Sequence, residues 1–257
     1  MFSKFFNWVR LVAQAVLTRE PAQRHVRRYE LLSALAARLG GFRLYTHSLI
    51  WWKDAAFQRL TQGYPGGQKI NPRHYNLHQL ARSVSDLPGD SVECGVYKGA
   101  GSYVIALAFE GKPGHLHHVF DSFEGLSAPV ERDRPSDPTA RPYESGEFAT
   151  PEETVRRNLD RFGFIRFYKG WIPTRFPEVV DRRFAFVHID VDLYEPTRDS
   201  IAFFYERLLP GGILVCDDYG FTDCPGAKRA FDEFIAGKPE RHVIHLTSGQ
   251  GMIVRRG

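Results

Sequence analysis

From about residue 75 onward, short apolar runs alternate with segments whose apolar residues recur at helical spacing. The predicted strands are 91–95, 116–121, 165–168, 184–190 and 213–216, followed by a closing hairpin of 243–246 and 252–255. The predicted helices are 76–84, 102–109, 154–162, one that begins near Pro196 and ends at 210–212, and 227–235. This alternation is typical of a mostly parallel sheet covered by helices on both faces. We therefore predict an α/β fold with seven strands and a binding site at the carboxyl ends of the parallel strands.

The N-terminal quarter differs from the rest in charge. Residues 1–75 contain 12 Lys and Arg but 3 Asp and Glu, whereas the whole chain of 257 residues has a net charge of +4. The basic excess predicts a solvated face or contact with an anionic partner, and no nucleic-acid-binding motif is present. Apolar spacing over 31–39 predicts a helix that ends at Gly40 and Gly41. We predict a helical extension over 1–70 and one α/β domain over 71–257.

The start of the chain bears on location and partners. Its aromatic and aliphatic residues are interrupted by Lys4 and Arg10, which makes a secretory signal peptide or a membrane span a poor prediction. An amphipathic helix packed on the protein itself, or on a second subunit of a homo-oligomer, is favoured over one that contacts a membrane. Three cysteines without a CxxC pair fit a reducing compartment, so a cytoplasmic location is expected.

A Gly-rich segment follows the first predicted strand, with the pattern Glu93-x-Gly95-x-x-x-Gly99-x-Gly101. Glycines allow the backbone to approach a bulky ligand, and the following helix N-terminus favours a carboxylate. An acid before the first glycine repels a pyrophosphate but suits an amino or sulfonium group, as in S-adenosylmethionine. An ordinary strand–helix turn is the alternative. The candidate cofactor contacts here are Glu93, Cys94, Gly95, Gly99, Gly101 and Ser102.

Two further strand ends offer cofactor contacts. Asp121 ends the second strand, where an acid commonly accepts hydrogen bonds from ribose hydroxyls, and Ser122 follows it. A solvent-facing Asp is the alternative. Lys169, Gly170 and Trp171 follow the third strand, where an adenine could pack, although Trp171 fits a plain core position equally well.

Acidic residues close the fourth and fifth strands. Asp190 and Asp192 follow the fourth, and Asp217 and Asp218 follow the fifth. Neighbouring strands lie about 4.8 Å apart, so these carboxylates should converge and require a cation or raised pKa values. Asp190, Asp217 and Asp218 are the candidate ligands of Mg²⁺, which prefers oxygen donors. Independent helix caps are the alternative.

A divalent ion could lower the pKa of an acceptor hydroxyl, and Asp192 or Asp190 could accept its proton.

Among the remaining candidates, His188 is predicted to be a core histidine, and His117 and His118 fall at the wrong edge of the sheet for chemistry. The proline-rich stretch 127–151 has no periodicity and is predicted to be a long loop, either a cover for the site or a mobile insertion.

Five motifs together resemble the macrocin O-methyltransferase (TylF-type) family. They are PGDSVECGVYKG at 88–99, FDSFEGL at 120–126, YKGW at 168–171, HIDVDLYEPT at 188–197, and PGG through DDYG at 210–220. The resemblance covers about residues 70–257 and implies a class I methyltransferase (Rossmann-like) fold, S-adenosylmethionine, Mg²⁺, and methylation of a sugar hydroxyl on a glycan or glycosylated natural product.

The resemblance also implies site roles. Glu93, Gly95 and Asp121 would contact the cofactor, and Asp190, Asp217 and Asp218 would hold the metal. The similar catechol-type enzymes place a lysine near the first metal acid, where this chain has Asp192 and Leu193. Asp190 and Asp192 therefore both stay candidates for the general base.

Two other functions are weighed against this one. A metal-dependent glycosyltransferase could use Asp190-x-Asp192, the Asp-x-Asp form that can hold a metal–nucleotide-sugar complex, but it leaves the Glu93 loop and Asp217–Asp218 unexplained. A non-catalytic binding module on the same fold would not need the complete acid set.

Overall fold

The computed structural model describes residues 2–39, 54–136 and 140–257, which fall into two compact units, 1–58 and 59–257. This division lies earlier in the chain than the boundary predicted at 70/71, which stays a prediction. Residues just after 58 belong to the larger unit because the Tyr64 hydroxyl donates to the carbonyl of Lys98 (2.7 Å) and the Tyr64 ring packs edge-on against Tyr103.

The N-terminal unit contains two long helices, α1 (Phe2–Leu17) and α2 (Pro21–Arg38). They contact each other, and the Arg38 guanidinium lies 4.5 Å from the Trp8 ring centroid. The predicted helix end at Gly40 and Gly41 lies outside the described residues. Among the helices of the described segments, none combines the length and apolar character that crossing a membrane requires.

The larger unit is built on a seven-stranded sheet. Its strands are β1 (Asp90–Cys94), β2 (His117–Asp121), β3 (Ile165–Lys169), β4 (Phe184–Ile189), β5 (Leu208–Cys216), β6 (Ile244–His245) and β7 (Gly251–Val254). The order is β3-β2-β1-β4-β5-β7-β6; the first five strands are parallel, and β7 pairs antiparallel with both β5 and β6. The predicted α/β class is confirmed, and β4 and β5 are neighbours as expected.

Helices cover both faces of this sheet. They are α4 (Pro72–Ser83), α5 (Ala100–Phe109), α6 (Glu152–Asn158), α7 (Tyr194–Tyr205) and α8 (Pro225–Ile235), whereas α3 (Ala55–Thr61) contains the position at which the chain divides into its two units. Successive residues of a strand point to opposite faces. On β1, Glu93 meets Ser102 of α5, whereas Val92 and Cys94 join the apolar core that contains Phe204 of α7.

Two predicted element bounds are wrong for identifiable reasons. α4 begins at Pro72 rather than at 76, because the Asn71 side chain accepts hydrogen bonds from the backbone of Arg73 and His74 and caps the helix with Pro at its first position. β5 begins at Leu208 rather than at 213. The chain passes through 210–212 within the strand, so the helix predicted to end there, α7, ends instead at Tyr205. The register between β4 and β5 shifts between Phe184 and Phe186 to absorb the irregularity.

Candidate functional site

A cavity of about 510 Å³ lies at the carboxyl ends of the parallel strands. That volume is within the range of sites that hold a small molecule or cofactor. Its wall comes from the loops after β1, β2, β3, β4 and β5. The residues that line it include Gln68, Arg73, Gly95, Val96, Asp121, Ser122, Tyr143, Phe148, Trp171, Asp190, Asp192, Asp218 and Cys224.

The loop after β1 is held tightly against the end of β4. Gly95 has φ +79°, and a Cβ atom at this position would clash with the carbonyl oxygen of Asp190. A glycine is therefore required both by the backbone conformation and by the close approach. The Gly-rich loop and the first predicted metal acid consequently share one wall of the cavity.

Asp121 closes β2 at the floor of the cavity. Its Oδ2 accepts a hydrogen bond from the backbone of Val96 (2.7 Å), and its Oδ1 accepts one from Phe123 (2.6 Å). Burial raises the pKa of this carboxyl, and the backbone hydrogen bonds only partly offset that effect. A carboxylate can accept more hydrogen bonds than its backbone donors supply here, so it keeps a lone pair for a ligand hydroxyl.

Gln68, which the sequence patterns did not single out, adds a second ligand-facing acceptor. Its Oε1 is buried, and no donor among the described residues reaches it. Unmatched buried acceptors are costly, so a ligand that donates a hydrogen bond here would be favoured. This orphaned oxygen, the Asp121 carboxylate and the space above Gly95 fit a cofactor that carries an amino group and ribose hydroxyls.

The predicted cofactor contacts separate into two groups. Gly95, Asp121, Ser122 and Trp171 line the cavity. Among the described residues, those that line the cavity do not include Glu93, Cys94, Gly99, Gly101, Ser102, Lys169 or Gly170. Lys169 is exposed and lies 3.7 Å from Glu152, and Cys94 is fully buried in the core. The roles proposed for these residues in cofactor binding remain predictions.

The Glu93 carboxylate, predicted to face a positively charged ligand, lies between Ser102 and His188. Its Oε2 accepts the hydroxyl proton of Ser102, and its Oε1 lies 2.8 Å from His188 Nδ1. A Cβ atom on Gly101 would collide with the same carboxylate. The absence of a side chain at Gly101 therefore leaves space for the Glu93 carboxylate at the N-terminus of α5. The hydrogen-bond partner of Glu93 on the opposite side is His188.

The acids after β4 and β5 converge as expected. Ile189 pairs with Cys216 in the sheet, so Asp190 and Asp217 follow directly at the same edge. The donor atoms of His188, Asp190 and Asp217 lie within 4.8 Å of one another, and so do those of Asp192, Asp218 and Cys224. Of the three predicted metal ligands, Asp190 and Asp217 therefore lie in the first group and Asp218 lies in the second.

The electrostatics of the two groups differ by residue. Burial, together with the charges of Asp217 and Asp218, raises the pKa of Asp190 well above its usual range. Burial and the charges of Asp192 and Asp217 raise the pKa of Asp218 in the same way. Oxygen donors whose ionisation is this unfavourable fit a hard divalent cation, because such an ion would offset their repulsion.

Asp217 is the exception within this cluster. Burial would raise its pKa, but the hydrogen bond and charge of His188, with the charge of Arg73, lower it to about 2. His188 shows the complementary effect: burial would lower its pKa, but Asp217 and Glu93 raise it to about 10. The prediction of a core histidine agrees with the burial of His188, and the structure adds that its ring lies between two carboxylates.

Arg73 is a site residue that sequence reasoning missed. It lies on the first turn of α4, where its Nη1 donates to Asp217 Oδ2 and lies 3.9 Å from Asp218 Oδ1. Its guanidinium also lies 5.0 Å from the Phe221 ring centroid. The sequence signal that locates it is the Asn71–Pro72 helix cap. This cap brings the first turn of α4 to the acid edge, the edge of the sheet where Asp190, Asp192, Asp217 and Asp218 lie.

Asp192 occupies a strained position in the cavity wall. Its φ is +58°, which is uncommon for a residue other than glycine, and its backbone donates to Asp218 Oδ2 (3.1 Å). Burial and the charge of Asp190 raise its pKa to about 7. A carboxylate with a pKa near working pH is suited to accept and release a proton.

The long loop between β2 and α6 contributes to the cavity. Tyr143 and Phe148 line it, and the Tyr143 hydroxyl lies 3.5 Å from Cys224 Sγ. The backbone of Tyr194, at the start of α7, donates to Asp133 Oδ1 (2.7 Å), which anchors the first half of the loop. These contacts favour the interpretation of 127–151 as a cover of the site over that of a mobile insertion.

Comparison with known proteins gives concordant results. The sequence model of the family described as Macrocin-O-methyltransferase (TylF) matches residues 67–245. The chain is 36% identical over 161 residues to 8-demethyl-8-(2,3-dimethoxy-alpha-L-rhamnosyl)-tetracenomycin-C 4'-O-methyltransferase of Streptomyces olivaceus, covering 59% of this chain and 62% of that protein. It is 32% identical over 169 residues to mycinamicin III 3''-O-methyltransferase of Micromonospora griseorubida, covering 62% and 65%. The chain thus spans less than two thirds of the length of these relatives.

Solved structures agree on the fold. The O-methyltransferase NovP superposes with a TM-score of 0.60 at 27% identity, over 72% of this chain and 80% of that one. The calicheamicin methyltransferase CalS11 superposes with a TM-score of 0.61 at 18% identity, over 98% and 92%. The expected class I methyltransferase (Rossmann-like) fold is confirmed.

Proposed function

Because this chain belongs to the macrocin O-methyltransferase (TylF) family, we propose that it methylates a sugar hydroxyl of a glycan or glycosylated natural product. The methyl donor is S-adenosylmethionine, and a divalent metal ion, Mg²⁺, assists the reaction. One observation carries the proposal: Asp121 after β2 and the acids Asp190 and Asp218 after β4 and β5 face the same cavity. A ribose-binding acid and a cation-binding edge thereby border one reaction space.

The cofactor half of the cavity supports this donor. Asp121 would accept hydrogen bonds from ribose hydroxyls, and the unmatched Oε1 of Gln68 would accept one from an amino group. Trp171, which is 40% exposed at the cavity wall, offers an aromatic face to an adenine. Two solved methyltransferases of the same fold are described as complexes, one with S-adenosylmethionine and one with SAH, which supports the same donor for this chain.

The acid edge would bind the metal ion and accept the proton of the acceptor hydroxyl. When bound, the cofactor supplies the methyl group, and the metal ion supplies positive charge that lowers the pKa of the acceptor hydroxyl. Asp190, Asp217 and Asp218 would hold that ion. Asp192, with its pKa of about 7, would take the hydroxyl proton at a carboxylate oxygen, with Asp190 as the second candidate base.

The class of acceptor follows from the relatives. The two curated relatives are named for O-methylation of a rhamnosyl-tetracenomycin and of mycinamicin III. The cavity offers the aromatic rings of Tyr143 and Phe148 next to carboxylates, a combination that suits a sugar attached to an apolar body. These features support a glycosylated small molecule as the acceptor.

The glycosyltransferase alternative receives no support from a specific contact. It uses Asp190 and Asp192 alone and leaves Asp217 and Asp218, which converge with them at the same edge of the sheet, without a role. A non-catalytic binding module would not require buried carboxyls with pKa values as unfavourably raised as those of Asp190 and Asp218.

Titration calorimetry with S-adenosylmethionine and with a UDP-sugar tests the proposal. We expect binding of S-adenosylmethionine and no binding of the nucleotide sugar; the reverse result would overturn the methyltransferase assignment. A screen of glycoside acceptors with methyl-labelled cofactor then identifies the substrate. Label transferred only to non-sugar hydroxyls would contradict the sugar assignment while leaving methyl transfer in place.

A further inference from the structure

His188 of β4 lies between the acid of the Gly-rich loop and the first acid of β5. It is 1% exposed, with Nδ1 2.8 Å from Glu93 Oε1 and Nε2 3.2 Å from Asp217 Oδ1. The ring therefore bridges two buried carboxylates, with one nitrogen against each of them.

This bridge determines how Asp217 presents its two oxygens. Oδ1 accepts from His188 and from Gln250 Nε2 (2.7 Å), and so it is committed to the fold. Oδ2 faces the other way and meets the guanidinium of Arg73. The carboxylate consequently commits one oxygen to the sheet, while its other oxygen faces Arg73 at the edge where the acids after β4 and β5 meet.

The other end of the bridge is fixed as well. Glu93 Oε2 accepts the hydroxyl proton of Ser102 at the start of α5, and the Ser102 Oγ lies 2.9 Å from His117 Nε2. The glutamate that holds His188 is thus itself held by the helix that follows the Gly-rich loop. Carboxylates that are hydrogen-bonded from outside the coordination sphere keep metal ligands in a fixed orientation.

We propose that His188, held by Glu93, is a positioning residue of the metal site, which fixes Asp217 so that its Oδ2 is directed to the cation. The inference rests on the proposed metal assistance. It also gives Glu93 a role toward the metal edge rather than a direct contact with the cofactor. What the pair supplies to the metal site is a fixed direction of the Asp217 carboxylate.

The charge and the orientation of His188 predict opposite results on metal binding, which makes the test decisive. Removal of a nearby positive charge alone would tighten cation binding. Loss of orientation would weaken it, by about 10- to 100-fold for partners of this kind. The double variant Glu93→Gln/His188→Gln replaces the acid and the base of the pair together by neutral amides, so its comparison with His188→Gln separates a loss of orientation from a change in charge.

The experiment is a titration with Mn²⁺, followed by electron paramagnetic resonance, on the full chain without cofactor or acceptor. We expect His188→Gln and the double variant to bind Mn²⁺ about 10- to 100-fold more weakly than the unmodified protein. S-Adenosylmethionine affinity of His188→Gln, measured by calorimetry, should stay within about threefold. Should one of the two variants fail to fold, the other carries the test.

His118→Gln is the matched control. His118 on β2 is also 1% exposed and also faces a carboxylate, with Nε2 3.0 Å from Asp90 Oδ2, but at the opposite end of the sheet. Its substitution should leave Mn²⁺ affinity unchanged, so an equal loss in this control would reduce the effect to general destabilisation and overturn the inference.

The remaining outcomes separate the two proposals. Mn²⁺ binding that is equal or tighter in the His188 variants overturns the positioning role and leaves the proposed function intact. Absence of Mn²⁺ binding to the unmodified protein overturns metal assistance itself, and the positioning role with it.

Discussion

The two ends of the sheet each contain a buried histidine against a carboxylate, yet the two pairs behave differently. At the amino end, Asp90 accepts hydrogen bonds from His118 (3.0 Å), from Arg182 Nε (2.7 Å) and from the backbone of Leu116 (3.1 Å). Burial would raise its pKa, but these partners lower it below the usual range. The buried Asp90 carboxylate thus has partners on both oxygens, and the cluster stabilises the fold.

At the carboxyl end the acids exceed the available cations. Asp217 is satisfied by His188 and Arg73, whereas burial and neighbouring acids hold the pKa values of Asp190 and Asp218 well above the usual range. The same residue types therefore build a structural cluster at one end and an electrostatically unfavourable one at the other. Unfavourable ionisation of this kind is concentrated at functional sites, because a ligand can relieve it.

The substitution of Asp190 by Asn provides the largest test of this difference. Asp190→Asn keeps the size of the side chain but removes the charge that the metal site needs, and a metal ion contributes several kcal/mol to such reactions. We expect methyl transfer to fall about 1000-fold, which corresponds to about 4 kcal/mol, with S-adenosylmethionine affinity changed by less than about threefold. Labelled-cofactor assays and calorimetry measure the two quantities.

Asp90→Asn is the control for that substitution, since it makes the same chemical change at the amino end. Its activity should stay within about twofold at temperatures well below unfolding. Full activity of the unmodified protein after treatment with a chelator would contradict the assignment of the acid edge to a metal.

Asp90→Asn should instead reduce stability, because it breaks a buried set of charged hydrogen bonds. We expect a loss of about 3 kcal/mol in the free energy of unfolding near neutral pH. A depressed pKa stabilises the fold above the unfolded-state value of about 4, and that contribution disappears as the pH falls toward the lower folded-state value. Urea unfolding at neutral pH and below pH 4 measures it, and a difference between the proteins that is constant with pH would refute the role of the charge.

The sequence predicted those parts of the site that follow from the sheet alone. Asp121, Asp190, Asp217 and Asp218 each come at the end of a short apolar strand, and the carboxyl ends of parallel strands share one edge. Their convergence therefore required only the strand pattern and the neighbour relation of β4 and β5. The Gly-rich loop was located by the same logic.

The sequence could not predict side-chain direction or contacts between distant elements. Glu93 alternates with Cys94 on β1, and its burial toward α5 depends on the space left by Gly101 and on the Ser102 hydroxyl. Arg73 reaches Asp217 across 144 positions of sequence. Such a pairing depends on how α4 packs at the sheet edge, a property that no local pattern carries.

Asp121 is an intermediate case between the two ends, because its partners are backbone amides and its pKa is nevertheless raised by burial. Asp121→Asn should weaken S-adenosylmethionine binding about 30-fold, or about 2 kcal/mol, the scale of a hydrogen bond to a charged group. Calorimetry measures this. Lys169→Met is the comparison, since Lys169 is exposed beside Glu152 and should change the affinity by less than about threefold. Equal losses in both variants would return Lys169 to the cofactor site.

The smallest expected effect has the opposite sign at the two ends of the sheet. Without metal, Asp190→Asn removes one of several carboxylates that repel each other, so we expect it to stabilise the fold by about 1 kcal/mol, or about 2–4 °C in Tm. Asp90→Asn, in which the lost charge was paired, should lower Tm under the same conditions. Added Mg²⁺ should raise the Tm of the unmodified protein and have a smaller effect on Asp190→Asn. If Asp190→Asn lowered Tm in the absence of metal, then Asp190 would be stabilising in the same way as Asp90, and the distinction between a structural end and a functional end would fail.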